Sequence, residues 1–310
     1  MSSQTLNKDP IYGEINCHKC KNKAYWKVQN DTVEYLCGVH SKKYQNRVEL
    51  KKDAKLKAKL MDEKYQMQQK ECSEAALNNK NTKKRGDVIC SKLYMMKNPE
   101  DVHGYIKVFP NFKHGGRKDG LGYPSLSPKS MGPIYHNQPG LPPAKSLENF
   151  HQGNKVFITE TDANKEPLES WYQTQLDMYT NDKPIRHKDA ALDDKGKRIN
   201  APLYSLWVDA QGIKHKISYF ESRQFYCSYY EREVLKVGTK ANKDYMYLCN
   251  LLDEGYNLQI IGYDGYNVTK SLEECYLDIS RPFGHELVLY SMLTLKSEEY
   301  PWQKYKTFDF

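Results

Sequence analysis

The chain has 310 residues, 39% of them hydrophobic and 28% charged, enough for one sizeable core plus an appendage. No apolar run reaches the ~18 residues of a membrane span, and the opening MSSQTLNKDPIYGE lacks the basic and apolar regions of a secretory signal. The expectation is therefore an intracellular protein, cytoplasmic or nuclear, with no membrane partner. Eight irregularly spaced cysteines argue against a disulfide scaffold and for a reducing compartment, and 25 tyrosines exclude a wholly disordered chain.

Residues 1–40 read as a zinc-binding module. CHKC, sixteen residues and then CGVH set two pairs of soft donors at knuckle spacing, with Cys17, Cys20, Cys37 and His40 as ligands. AYWKV and TVEYL between them alternate like two short strands. So short a segment cannot fold on its own core, which makes structural Zn2+ the expected cofactor. Four protein ligands leave no open position for catalysis. His18, adjacent to a ligand, is left out of the set.

Residues 41–86 read as one long polar helix, SKKYQNRVEL through SEAAL, and a basic linker, NNKNTKKRGD. Residues 41–85 hold 14 Lys and Arg against 6 Asp and Glu, which accounts for the whole net charge of +8. That excess suits a nucleic-acid partner, although a solvated helix face gives the same count.

A folded domain, residues 87–310, opens with VICSKLYMM and GYIKVFP. From 110 to 145 the density of Gly and Pro forbids regular structure over much of the stretch. SLENFHQGNKVF then reads as a short helix capped by Ser146. At about 100° per residue, Glu148, Gln152 and Lys155 fall within an arc of roughly 60°, opposite Leu147, Phe150 and Phe157. This is either a solvated polar face or a carboxylate, an amide and an amine gathered for chemistry.

Residues 181–201 read as a polar insertion at the surface, and YSLWVDAQGIKHKISYF as a hairpin about a Gln-Gly turn. ESRQFYCSYYEREVLKV and YMYLCNLLDEGY follow as helices, LQIIGYD as a buried strand, and HELVLYSMLTL as a last helix opened by Gly284. The interleaved periods predict an α+β fold, a single mixed α/β domain behind the zinc module and long basic helix. Cys227, Cys249 and Cys275 sit in apolar or aromatic settings expected of inert thiols, and His151 and His285 read as structural.

Ser146, Glu148, Gln152 and Lys155 stand at the spacing of the S-x-E-x-x-x-Q-x-x-K helix that marks the NADAR family, which the domain resembles. SRQFYCSYYE, GYNLQIIGYDGYN and FGHELVLYSML are similar, in the same order, to later elements of that family. The likeness covers residues 120–295. LSPKSMGP replaces the usual L-S-N-F stretch, Asn149 stands where His is common, and no Trp follows Asp264. The chain is also similar to hypothetical proteins of large DNA viruses, for which the location would be host cytoplasm or virion.

The resemblance implies a NADAR-like catalytic domain, a hydrolase of N-glycosidic bonds in ADP-ribosyl or phosphoribosyl compounds, with ADP-ribose removed from nucleic acid as one form of the reaction. Under it Glu148 stabilises positive charge on the sugar and orients water. Lys155 protonates the leaving group or captures the opened sugar as a Schiff base, and Asp264 grips ribose hydroxyls or assists as a base. Gln152, Arg223, Arg281 and Gly284 bind substrate, the last two by offering phosphates a charge and the amides of a helix start. A different class fits the same chain: a non-catalytic, zinc-containing nucleic-acid-binding or virion structural protein. The two part on whether Glu148, Lys155 and Asp264 share one pocket.

Overall fold

A computed structural model describes residues 17–22, 24, 26–29, 32–49, 51–92, 99–117, 119–190, 200–262 and 268–307. They belong to two compact units, Met1–Ser73 and Glu74–Phe310.

The first unit holds three short strands, β1 (Trp26–Gln29), β2 (Val33–Leu36) and β3 (Val48–Glu49), in antiparallel order β2-β1-β3. Trp26 pairs with Leu36 and Gln29 with Val33, closing a hairpin. Among the described residues its core holds Val28, Leu36 and the thiols of Cys17 and Cys37, with Cys20 and Tyr44 against them. Two buried aliphatic side chains contribute ~1.5–3 kcal/mol each, while ordering the backbone costs ~1–2 kcal/mol per residue, so a crosslink among the thiols would add to what these side chains supply.

Helix α1 spans Lys51–Asn81 and contains the boundary between the units. It begins later than the polar pattern predicts. The amide of Ser41 donates to the Cys37 carbonyl at 3.0 Å, that of Tyr44 to the Ser41 carbonyl at 3.0 Å, and Val48 pairs with Lys27, so residues 41–49 belong to the turn and sheet of the module. At its other end the helix runs into the expected linker. There the Asn79 side-chain amide donates to the Gly255 carbonyl at 2.8 Å and to Asn257 Oδ1 at 2.9 Å.

In the second unit the chain runs β4 (Val88–Lys92), β5 (Tyr105–Phe109), β6 (Leu121–Gly122), α2 (Leu147–Gly153), β7 (Lys155–Val156), α3 (Glu169–Thr180), β8 (Tyr204–Val208) and β9 (Lys214–Ile217). It continues with α4 (Tyr219–Leu235), α5 (Lys240–Asp253), β10 (Asn257–Gly262), α6 (Leu272–Leu277), α7 (His285–Thr294) and α8 (Pro301–Lys304). Helices and strands are mixed throughout. One sheet is wholly parallel, in the order β4-β10-β5-β6, and the other is antiparallel, β7-β8-β9. The hairpin and the helices at α4, α5 and α7 stand where periodicity places them.

Strand β10 sits inside the parallel sheet with Leu258, Ile260 and Ile261 fully buried, as a near-continuous apolar run requires. It is entered from α5 through Gly255, whose φ of 93° is left-handed and where an added Cβ would lie 2.7 Å from the Ala76 carbonyl oxygen. One core joins Leu147 and Phe150 of α2, Trp207 of β8, Tyr229 and Tyr230 of α4, Leu258 and Ile260 of β10, Leu287 to Leu289 of α7, and Trp302 of α8.

One local expectation changes and another is refined. Helix α2 stops at Gly153, so Lys155 is not on the helix but opens β7, opposite Ser205. The stop is enforced from outside: Gly153 packs so close to the Tyr179 ring that a Cβ would lie 3.0 Å from it. Asn154 Oδ1 accepts from Gln175 Nε2 at 2.8 Å and from the Tyr179 hydroxyl at 2.9 Å. The refinement concerns the polar insertion, whose residues 181–190 lie mostly at the surface as expected but are anchored there: buried Asn149 donates to the carbonyls of Asn181 and Lys183 at 2.9 and 3.1 Å and accepts the Ile185 amide at 2.9 Å. His187 within that segment is buried, and residues 191–199 lie outside the described residues. Among the described residues no helix is long and apolar enough to cross a membrane.

Candidate functional site

In the first unit the hairpin and the turn after β2 bring Cys17, Cys20, Cys37 and His40 together, with their donor atoms all within 4.8 Å of one another. The Nδ1 atom of His40 lies 3.4 Å from Cys17 Sγ and 3.3 Å from Cys37 Sγ, and the thiols of Cys20 and Cys37 are 3.7 Å apart. Donors around a tetrahedral ion bonded at ~2.3 Å to sulfur and ~2.0 Å to nitrogen stand about 3.5–3.8 Å apart, so the set fits a metal ion. The amide of His40 holds the Cys37 thiol below its ordinary value against desolvation, as a thiolate ligand needs. His18 is turned away, its ring edge-on to Tyr35 at 5.7 Å.

The second unit holds a cavity of about 430 Å³. Its walls include Asn111 to His114, which follow β5, and Gly284 to Glu286 at the start of α7. It therefore opens at the carboxyl end of a parallel strand, where the sheet leaves a crevice. Asn111 Nδ2 donates to the Ile261 carbonyl at 3.2 Å and His285 Nε2 to the Pro110 carbonyl at 3.0 Å, which fixes this end of the sheet to α7.

Glu148, Gln152 and Lys155 all line this cavity. Ser146 caps α2, accepting the Asn149 amide at 3.1 Å, so Glu148 sits in the first turn. Gln152 Nε2 donates to Glu148 Oε1 at 3.0 Å, and Lys155 Nζ donates to Gln152 Oε1 at 2.9 Å. One amide thus orients a carboxylate and an ammonium on the same wall, even though Lys155 has left the helix. Gly284 lines the cavity as the N-cap of α7.

Arg223 also reaches the wall, but its guanidinium is committed to backbone carbonyls. It donates through Nη1 to those of Cys275 and Tyr276 and through Nη2 to that of Arg281 at 2.6 Å, holding the end of α6. Arg281 is exposed and is not among the lining residues. Asp264 lies outside the described residues.

Several lining residues had no local signal in the sequence. Arg186 arrives on the segment clamped by Asn149, and Lys113 and Lys129 come from the Gly- and Pro-rich stretch, where only the unusual loop length pointed to function. His151 lines the cavity with its ring 5.0 Å from that of Tyr226. Glu286, buried, places a second carboxylate there. Among the described residues the cavity therefore presents five Lys and Arg against two Glu. No thiol takes part: burial pushes those of Cys227, Cys249 and Cys275 up.

Comparison with protein-family models, with curated proteins and with solved structures finds no match for this chain.

Proposed function

We propose that the cavity hydrolyses N-glycosidic bonds in ADP-ribosyl or phosphoribosyl compounds. The observation that carries this reading is the array of Glu148, Gln152 and Lys155 on one wall of a cation-rich cavity that also receives the start of α7. Loss of the leaving nitrogen develops positive charge on the sugar, which the Glu148 carboxylate stabilises while orienting water. Lys155 delivers a proton to the departing nitrogen, and Gln152 keeps the two charged groups in register without letting them pair directly. Phosphates meet the amides at the α7 N-terminus and the Arg186 side chain. Asp264 is assigned to the ribose hydroxyls on the resemblance to the NADAR family. The ion of the Cys17, Cys20, Cys37 and His40 cluster is zinc in a structural role, and the basic stretch of residues 41–85 brings nucleic acid to the enzyme. A purely structural virion or nucleic-acid-binding protein has no use for the array.

The test is mass spectrometry of ADP-ribose released from ADP-ribosylated nucleic acid and protein. Wild-type protein is expected to release it, and Glu148→Gln and Lys155→Ala to be slower by about a hundred- to ten-thousand-fold. No release by the wild type, or undiminished release by Glu148→Gln, sinks the reading.

A further inference from the structure

Behind the cavity wall lies a second group of donors. Glu160 ends a single helical turn, Ile158–Glu160, that follows β7, and His187 and Asp189 come from the segment held by Asn149. The three place one ligating atom each within 4.8 Å of one another. The side chain of His187 is 0% exposed and that of Glu160 4%. Neither His187 Nε2 nor Glu160 Oε1 has a hydrogen-bond partner, which is a costly arrangement for buried polar atoms.

The surroundings account for the remaining atoms. Glu160 Oε2 accepts the Phe157 amide at 3.5 Å and lies 3.3 Å from His187 Nε2 without hydrogen-bond geometry. Asp189 Oδ2 accepts from the Thr159 hydroxyl at 2.9 Å, and the Asp189 amide donates to His187 Nδ1 at 3.2 Å. The nearby cation is Lys188, 3.4 Å from Glu160 Oε1, and with its side chain 59% exposed it is screened by water.

From this we infer that Glu160, His187 and Asp189 form a divalent-metal site, distinct from the cysteine cluster, that takes an ion of the zinc type. Nitrogen and oxygen ligands bonded at ~2.0–2.2 Å around a tetrahedral ion stand about 3.4 Å apart, close to the 3.3 Å between His187 Nε2 and Glu160 Oε2. Two carboxylates and a neutral imidazole balance the charge of a divalent cation, and mixed nitrogen and oxygen donors suit zinc and its first-row neighbours. Nδ1 accepts the Asp189 amide here, so coordination through Nε2 moves the ring proton to Nδ1 and exchanges that hydrogen bond for the bond to the ion. The ion ties the turn at 158–160 to residues 187–189, next to Arg186 and Ala190 on the cavity wall, while the His187 ring lies 4.6 Å from that of Phe157, itself a lining residue. It is a staple for that wall, and it stands whether or not the cavity is a glycosidase.

The experiment is a Co2+ titration of the full-length chain after removal of bound metal, followed by optical absorption and by Zn2+ content after reconstitution. Two equivalents are expected. One brings the intense thiolate-to-cobalt band of the cysteine cluster, and the other adds only weak visible absorption, because its ligands carry no sulfur. Glu160→Gln and His187→Phe are expected to lose the second equivalent and keep the thiolate band. Binding of one equivalent by the wild type overturns the inference, and so does a second equivalent that survives both substitutions with the chain still folded.

Discussion

The two units hold themselves together by opposite means. In the first, the cluster seen among the described residues has two buried aliphatic side chains and two thiols, and the donors of Cys17, Cys20, Cys37 and His40 converge on one point. In the second, a continuous core runs from Val88 to Trp302, and the charged groups of the cavity are arranged on its margin. The contrast teaches that a short segment replaces burial with coordination, while a long one has burial to spare and can set polar groups where binding needs them.

The largest effect that sharpens this contrast comes from the metal. Cys37→Ser is expected to unfold residues 17–49, since structural zinc supplies about 10–16 kcal/mol of apparent binding free energy in such modules. Amide NMR should show the dispersion of residues 26–36 collapsing while signals of the second unit stay in place. Collapse of both units together would break the comparison.

The next effect belongs to the core. Phe150 packs its ring 4.6 Å from Tyr229 and 5.6 Å from His136, so Phe150→Ala is expected to cost the second unit about 3–5 kcal/mol in urea unfolding, with the metal content of the cysteine cluster unchanged. A cost under about 1 kcal/mol would mean that packing is not what holds α2.

The smallest effect is one of pH. Burial holds the His136 imidazole below its ordinary value near 6.5, against the hydrogen bond it gives the Pro142 carbonyl. The unfolded chain then binds the proton more readily than the folded one, so this group lowers stability as pH falls through about 6.5 toward the folded value. Melting of the second unit should drop between about pH 7.5 and pH 5.5, and His136→Phe should flatten that drop. An unchanged slope in the variant would assign the effect to other groups.

What could be read from the chain alone follows the same division. Metal ligands at knuckle spacing are a local pattern, and Cys17 to His40 were legible down to the individual residue. The buried strand β10, the tyrosine-lined α4 and the Ser146 cap were also legible, because period and capping chemistry are local, whereas the parallel pairing was not. Lys155 was placed on the right wall for the wrong reason: the partners that end α2 at Asn154 are Gln175 and Tyr179, more than twenty residues on, and no helical wheel contains them. Arg186 was missed because its segment is brought to the wall by groups distant in sequence, the side chain of Asn149 among them. Residues 41–49 looked helical by composition and became turn and strand through pairing with β1.

The parallel sheet also dictates when the second unit can form. Among the described strands of this sheet β10, one of its two inner strands, is the last to be made, and β4 and β5 both pair with it, Val88 and Ile106 lying opposite Leu258. As the chain leaves the ribosome, β4 and β5 wait while the 147 residues between β5 and β10 are synthesised before their shared neighbour appears. The loop to be closed is long, so the nucleus for this sheet assembles late and slowly, with apolar edges exposed in the interval.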